Sequence, residues 1–133
     1  MPIFEVNFLA VIVAAIVDTI IGSFWYSPAL FGKHWMRLSE IKMDGKPSPT
    51  IYIYPMVGAL IMATVMSVFV SSMYATDAVG GLLIAFLAWF GFVLPTAGVN
   101  YLFTGKPLKL YVLDMGYHLV AFLVVGVIVA LWR

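Results

Sequence analysis

The sequence contains no cysteine, which excludes disulfides, thiolate catalysis and Cys-ligated metal or iron–sulfur sites, while leaving the redox compartment open. Charge is almost as scarce. Only 10% of the residues are Asp, Glu, Lys or Arg, against about a quarter in a soluble domain, too few to clothe a water-soluble fold. The formal net charge is +1, so no concentrated basic surface is available for a phosphate backbone, and nucleic acid is not an expected partner. The stretch Met1-Pro2-Ile3-Phe4-Glu5 lacks the positive n-region of a signal peptide, and no small-x-small cleavage site follows the first apolar run. The first segment is therefore expected to be a retained helix. No Gly-rich phosphate loop, Ser/His/Asp set or metal-spaced His/carboxylate motif occurs, so the sequence does not point to an enzyme.

What the chain has in abundance is apolar surface: 64% of its 133 residues are hydrophobic and its mean hydropathy is +1.08. A bilayer suits such a chain, because lipid-facing helix surfaces stay apolar while each backbone group is satisfied within its own helix. A span needs ~20 mainly apolar residues, so this length holds four and one sizeable connection. The expected fold is an all-α four-transmembrane-helix bundle, a single membrane domain. The spans fall at about 4–26, 49–74, 78–103 and 108–132. Ser48 and Pro49 suit the start of the second span, and Thr76 or Asp77 that of the third. Pro55 should bend the second, and Pro95 should kink the third between Gly91 and Pro95.

The one long connection carries an amphipathic pattern over about 28–41. Wound at ~100° per residue, Leu30, Phe31, Trp35, Leu38 and Ile41 fall on one side, with Lys33, Arg37 and Glu40 on the other. This describes a helix in the membrane interface, with Trp25, Tyr26, Phe31, Lys33 and Trp35 as anchoring residues. It serves either to finish the fold or to bind lipid or gate. His34 falls on its apolar arc.

Basic residues are retained on the cytoplasmic side of a membrane. Lys33, Arg37, Lys42, Lys46, Lys106 and Lys109 all lie in the first and third connections, whereas the opposite side has Arg133. Both termini should therefore lie outside the cytoplasm. Trp25, Tyr26, Trp35, Tyr52, Tyr54, Tyr101 and Tyr111 then form a cytoplasmic aromatic belt, with Tyr74 and Trp132 at the other interface.

An ionisable group inside a bilayer costs about 2.5 kcal/mol or more, so each invites a functional hypothesis. Asp18, Asp114 and His118 are such groups, and all belong to the cytoplasmic half of their spans. Asp114 and His118 are four apart and share a helix face, with Tyr117 adjacent. Asn100 lies near the same end of the third span. One reading makes Asp18, Asn100, Asp114, Tyr117 and His118 an inward-facing site for a proton, cation or small polar solute. The other makes them a satisfied cluster that locks helices together. Small residues at four-residue steps, Ala10, Ala14, Asp18 and Gly22, then Gly81 with Ala85 and Gly126 with Ala130, mark close helix approaches. They also place Asp18 against protein rather than lipid. Thr64, Ser67, Ser71 and Ser72 are expected to bond back to their own helix. No cofactor is implied, although an intramembrane His118 could ligate a haem across a two-fold axis.

The run Trp25-Tyr26-Ser27-Pro28, Leu30-Phe31-Gly32-Lys33 and Trp35, followed by Lys106-Pro107-Leu108-Lys109-Leu110 and Gly116-Tyr117-His118-Leu119, resembles a catalogued family. It is similar to the small prokaryotic membrane proteins of domain-of-unknown-function family seventeen sixty-one. The likeness implies four spans and a bacterial or archaeal cytoplasmic membrane, and implies no activity. A small oligomeric carrier or channel-like protein is the first functional expectation. A non-catalytic assembly or scaffolding subunit with a membrane-protein partner is the second. An enzyme acting on a lipid or isoprenoid is the third.

Overall fold

The computed structural model describes residues 6–39 and 50–132. Their regular structure is helical throughout: α1 (Phe8–Trp25), α2 (Gly32–Ser39), α3 (Thr50–Ser72), α4 (Ala78–Ala88), a π turn (Trp89–Val93), α5 (Leu94–Phe103) and α6 (Leu108–Leu131). Four stretches are long and apolar enough to cross a membrane: Phe8–Trp25, Ile53–Ser72, Ala78–Phe103 and Leu108–Leu131. The fold is thus the expected all-helical bundle of apolar spans. Phe4, Glu40, Ile41, Lys42, Lys46, Ser48, Pro49, Arg133 and the side chain of Tyr52 lie outside the described residues.

Side chains and turns set the helix ends. Asn7 Oδ1 accepts from the N–H groups of Leu9 and Ala10 at 3.1 and 3.3 Å, satisfying donors that a helix start leaves orphaned. Asp77, rather than Thr76, caps α4 by accepting from the Gly80 N–H at 2.8 Å. At the end of α5 the Lys106 N–H returns to the Tyr101 carbonyl at 3.0 Å, while Gly105 sits at φ +71°. That combination is a Schellman stop, and glycine adopts its left-handed residue without a Cβ penalty.

The stretch Gly91 to Pro95, where a kink is expected, coincides with an irregularity in the helix. Just before Pro95 the chain widens into the π turn, where the Leu94 N–H reaches the Trp89 carbonyl five residues back. A π turn inserts one residue into the helix, so the N–H that Pro95 lacks falls where the hydrogen-bond ladder is already loosened.

α6 is the hub of the bundle and packs against α1, α2, α3, α4, α5 and the π turn. The apolar core joins Val11 and Ala14 of α1, Ala63, Met66 and Val70 of α3, Ala85 of α4, and Val125, Val129 and Ala130 of α6. These residues occupy the half in which α1 begins and α6 ends. Asn7 Nδ2 donates to the Trp132 carbonyl at 3.4 Å, so the start of α1 and the end of α6 share one face. In that half α4 and α6 meet backbone to backbone. A Cβ added at Gly81 would lie 2.5 Å from the Gly126 carbonyl oxygen, and one at Gly126 would lie 2.6 Å from that of Gly81. The expected small-residue contacts are real, and on α1 they include buried Ala10, Ala14 and Asp18. Outward-facing Phe8, Ile16, Leu83, Leu87, Phe90 and Phe92 are exposed, as lipid contact requires.

The interfacial helix starts later than its sequence pattern. Ser27 through Phe31 form turns, with the Gly32 N–H bonded to the Ser27 carbonyl at 2.8 Å and the Phe31 N–H to that of Trp25 at 3.1 Å. Among the described residues of this connection, Gly32–Ser39 is helical. Gly32 is buried, and any Cβ there would run into the backbone of Tyr26 and Ser27. The chain therefore reverses sharply enough to lay α2 against α6.

Candidate functional site

The half opposite the apolar core is held by side-chain hydrogen bonds. Asp18, about two turns before the end of α1, is buried and accepts from the Tyr117 hydroxyl of α6. Asp114, about two turns into α6, is also buried. Its Oδ1 accepts from the Tyr26 hydroxyl at 2.7 Å and its Oδ2 from the Tyr101 hydroxyl at 2.5 Å. Three elements thus converge on Asp114: the turn after α1, α5 and α6. Charge-assisted bonds of this kind are the stronger class of hydrogen bond. Burial, and then the bond to Asp114, push the Tyr26 phenol above the ordinary tyrosine range, so it stays protonated and donates.

The two carboxylate–phenol groups touch through their rings. Tyr26 meets Tyr117 edge-on with centroids 5.5 Å apart, and Tyr117 lies 5.0 Å from the His118 ring. His118 is half-buried and within electrostatic reach of both Asp18 and Asp114. It makes no hydrogen bond to the protein among the described residues. Of the donors that the sequence offers these carboxylates, Tyr117 bonds to Asp18, whereas Asp114 takes its donors from other elements.

Glycines create the space for this arrangement. A Cβ at Gly22 would lie 3.1 Å from the Tyr117 hydroxyl, one at Gly98 3.1 Å from that of Tyr111, and one at Gly116 3.1 Å from the Trp25 ring. Each ring can then spend its polar tip on a neighbouring helix. Tyr111 donates to the Leu94 carbonyl at 2.5 Å, Trp25 Nε1 to that of Leu113 at 3.2 Å, and Trp89 Nε1 to that of Met115 at 3.0 Å. Buried indoles and phenols ordinarily find such partners.

Asn100 is not brought into the cluster. It lies on the exposed side of α5, where its carbonyl accepts from Thr104 Oγ1 at 2.8 Å. Of the interfacial residues, Phe31 packs on Trp25 with centroids 4.9 Å apart and Trp35 on Tyr26 at 5.6 Å. Lys33 is exposed. His34 is exposed as well, not turned inward, and accepts from Arg37 Nη2 at 2.9 Å. Thr19, Ser23 and Thr64 bond back to their own helix carbonyls at 2.9, 2.9 and 2.7 Å. Lys33, Arg37, Lys106 and Lys109 are exposed around this end, and the Lys106 ammonium sits over the Tyr101 ring at 4.8 Å.

Tyr26 and Tyr101, read from the sequence as belt aromatics, are the site residues whose role as donors to Asp114 sequence reasoning missed. The available signal was depth: both phenols stand near the same ends of their elements as Asp114, where a buried carboxylate needs donors. Among the described residues no group of three or more His, Cys, Asp or Glu could hold a metal ion.

A model of the protein family of unknown function DUF1761 matches residues 9–130. The chain belongs to that family. The match spans nearly all of α1 through α6 and so takes in both segments quoted above for the resemblance. In this DUF1761 member they are in contact: Trp25 lies over Gly116, and Tyr26 lies against Tyr117. No curated protein and no solved structure matches the chain.

Proposed function

We propose that this protein is a small oligomeric carrier or channel-like protein of a prokaryotic cytoplasmic membrane, with a site for a proton, cation or small polar solute that faces the cytoplasm. Both termini lie outside. The observation that carries the reading is the placement of His118. It sits against the Tyr117 ring with no hydrogen-bond partner among the described residues, between carboxylates that phenols hold on either side. Residues serving only as glue have no use for an unengaged imidazole, whereas a group that takes up and releases a proton or solute does. The basic side chains around this end support the orientation.

A second reading has one observation in its favour. Both oxygens of Asp114 are occupied by phenols, as in a cluster whose task is to fasten helices of a scaffolding subunit. Reconstitution decides between the two. Purified protein in liposomes is expected to show proton, cation or solute flux that Asp18→Asn and His118→Ala each alter. If neither substitution changes flux but both lower thermal stability, the carrier reading fails and the scaffold reading stands.

A further inference from the structure

The two halves of the third span are anchored very differently. α4 is fastened to α6 by the Gly81–Gly126 backbone contact, with Ala85 fully buried beside it. α5 has no buried residue at all, and its contacts are with α6 and the π turn. Beyond that base, two phenol bonds hold it to α6: Tyr101 to Asp114 and Tyr111 to the Leu94 carbonyl. Between the halves lies the π turn, fixed to α6 by the Trp89–Met115 bond, with Pro95 two residues beyond its end. Its Gly91 is exposed and has no neighbour that a Cβ would meet. Local π geometry and proline are the places where helices bend.

We propose that α5 is a hinged gate over Asp114, turning about the π turn Trp89–Val93 and latched near its far end by Tyr101, while α4 stays fixed and the Tyr111–Leu94 bond holds the pivot to α6. Opening withdraws the Tyr101 hydroxyl from Asp114 Oδ2 and exposes that oxygen on the side where Lys106 lies. The proposal rests on reading the cluster as a working site and supplies its access step. α5 is about 15 Å long at 1.5 Å per residue, so a change of about 20° in the bend moves its far end by about 5 Å.

The absence of native cysteine makes the test clean. Spin labels at Leu102→Cys and Phe24→Cys, both at exposed positions, report the distance from the end of α5 to the end of α1. Labels at Val79→Cys and Phe8→Cys, also exposed, report the fixed half. Removing the latch with Tyr101→Phe should shift or widen the first distance by about 5 Å and leave the second unchanged. Asp114→Asn, which weakens the acceptor of the Tyr101 bond without emptying the space, should give part of the shift, and it decides the matter if Tyr101→Phe does not fold. A first distance unchanged in the folded variants, or both distances moving together, overturns the hinge. These distances do not depend on transport, so absent flux in liposomes removes the carrier reading without altering what they say about α5.

Discussion

At the end where α1 begins and α6 finishes, helices meet through Gly81, Gly126, Ala85 and Ala130. At the other end they meet through Asp18, Asp114 and the hydroxyls of Tyr26, Tyr101 and Tyr117. The first kind of contact is dispersion between close-packed surfaces, which has no partner to exchange and loses strength steeply with small separations. The second is directional, and each bond can be broken singly and remade with water, a proton or a solute. One end is built to stay shut. The other has the means to change.

Overpacking the closed end should produce the largest effect on stability. Gly126→Leu drives a side chain into the Gly81 backbone and should cost about 3 kcal/mol, read as a lowered midpoint of unfolding in detergent. Asp114→Ala strands the phenols of Tyr26 and Tyr101 and should cost about 2 kcal/mol in the same measurement. Tyr117→Phe removes one interhelical bond and should cost about 1 kcal/mol. Tyr111→Phe should cost least, about 0.6 kcal/mol, because its acceptor is a helix carbonyl already within a backbone ladder. If Tyr117→Phe or Tyr111→Phe proved as damaging as Gly126→Leu, the difference between the ends would disappear.

The closed end was far more legible in the sequence than the polar one. Runs of apolar residues and glycine or alanine at four-residue steps announce spans and close approach, because both follow from helix geometry alone. The burial of Asp18 followed from the same stripe. The partners of Asp114 did not, because spacing along one helix suggested His118 while the actual donors come from the turn after α1 and from α5. Tyr26 reaches it from the turn that Gly32 packs against, and Tyr101 from the last turn of α5. Asn100, placed with the cluster by depth alone, faces away. Depth is readable from sequence, whereas rotation about a helix axis depends on the neighbours.

The most direct measurement of the division between the ends is the flux of the Asp114→Asn variant in liposomes, taken together with its stability. The amide can accept from one phenol and donate to the other, so the bundle should hold, with stability within about 1 kcal/mol of the parent. It cannot ionise, so flux should fall to the level of empty liposomes. Flux equal to that of the unsubstituted protein would contradict the claim that this end is a working site, and would leave its bonds as fastenings between helices.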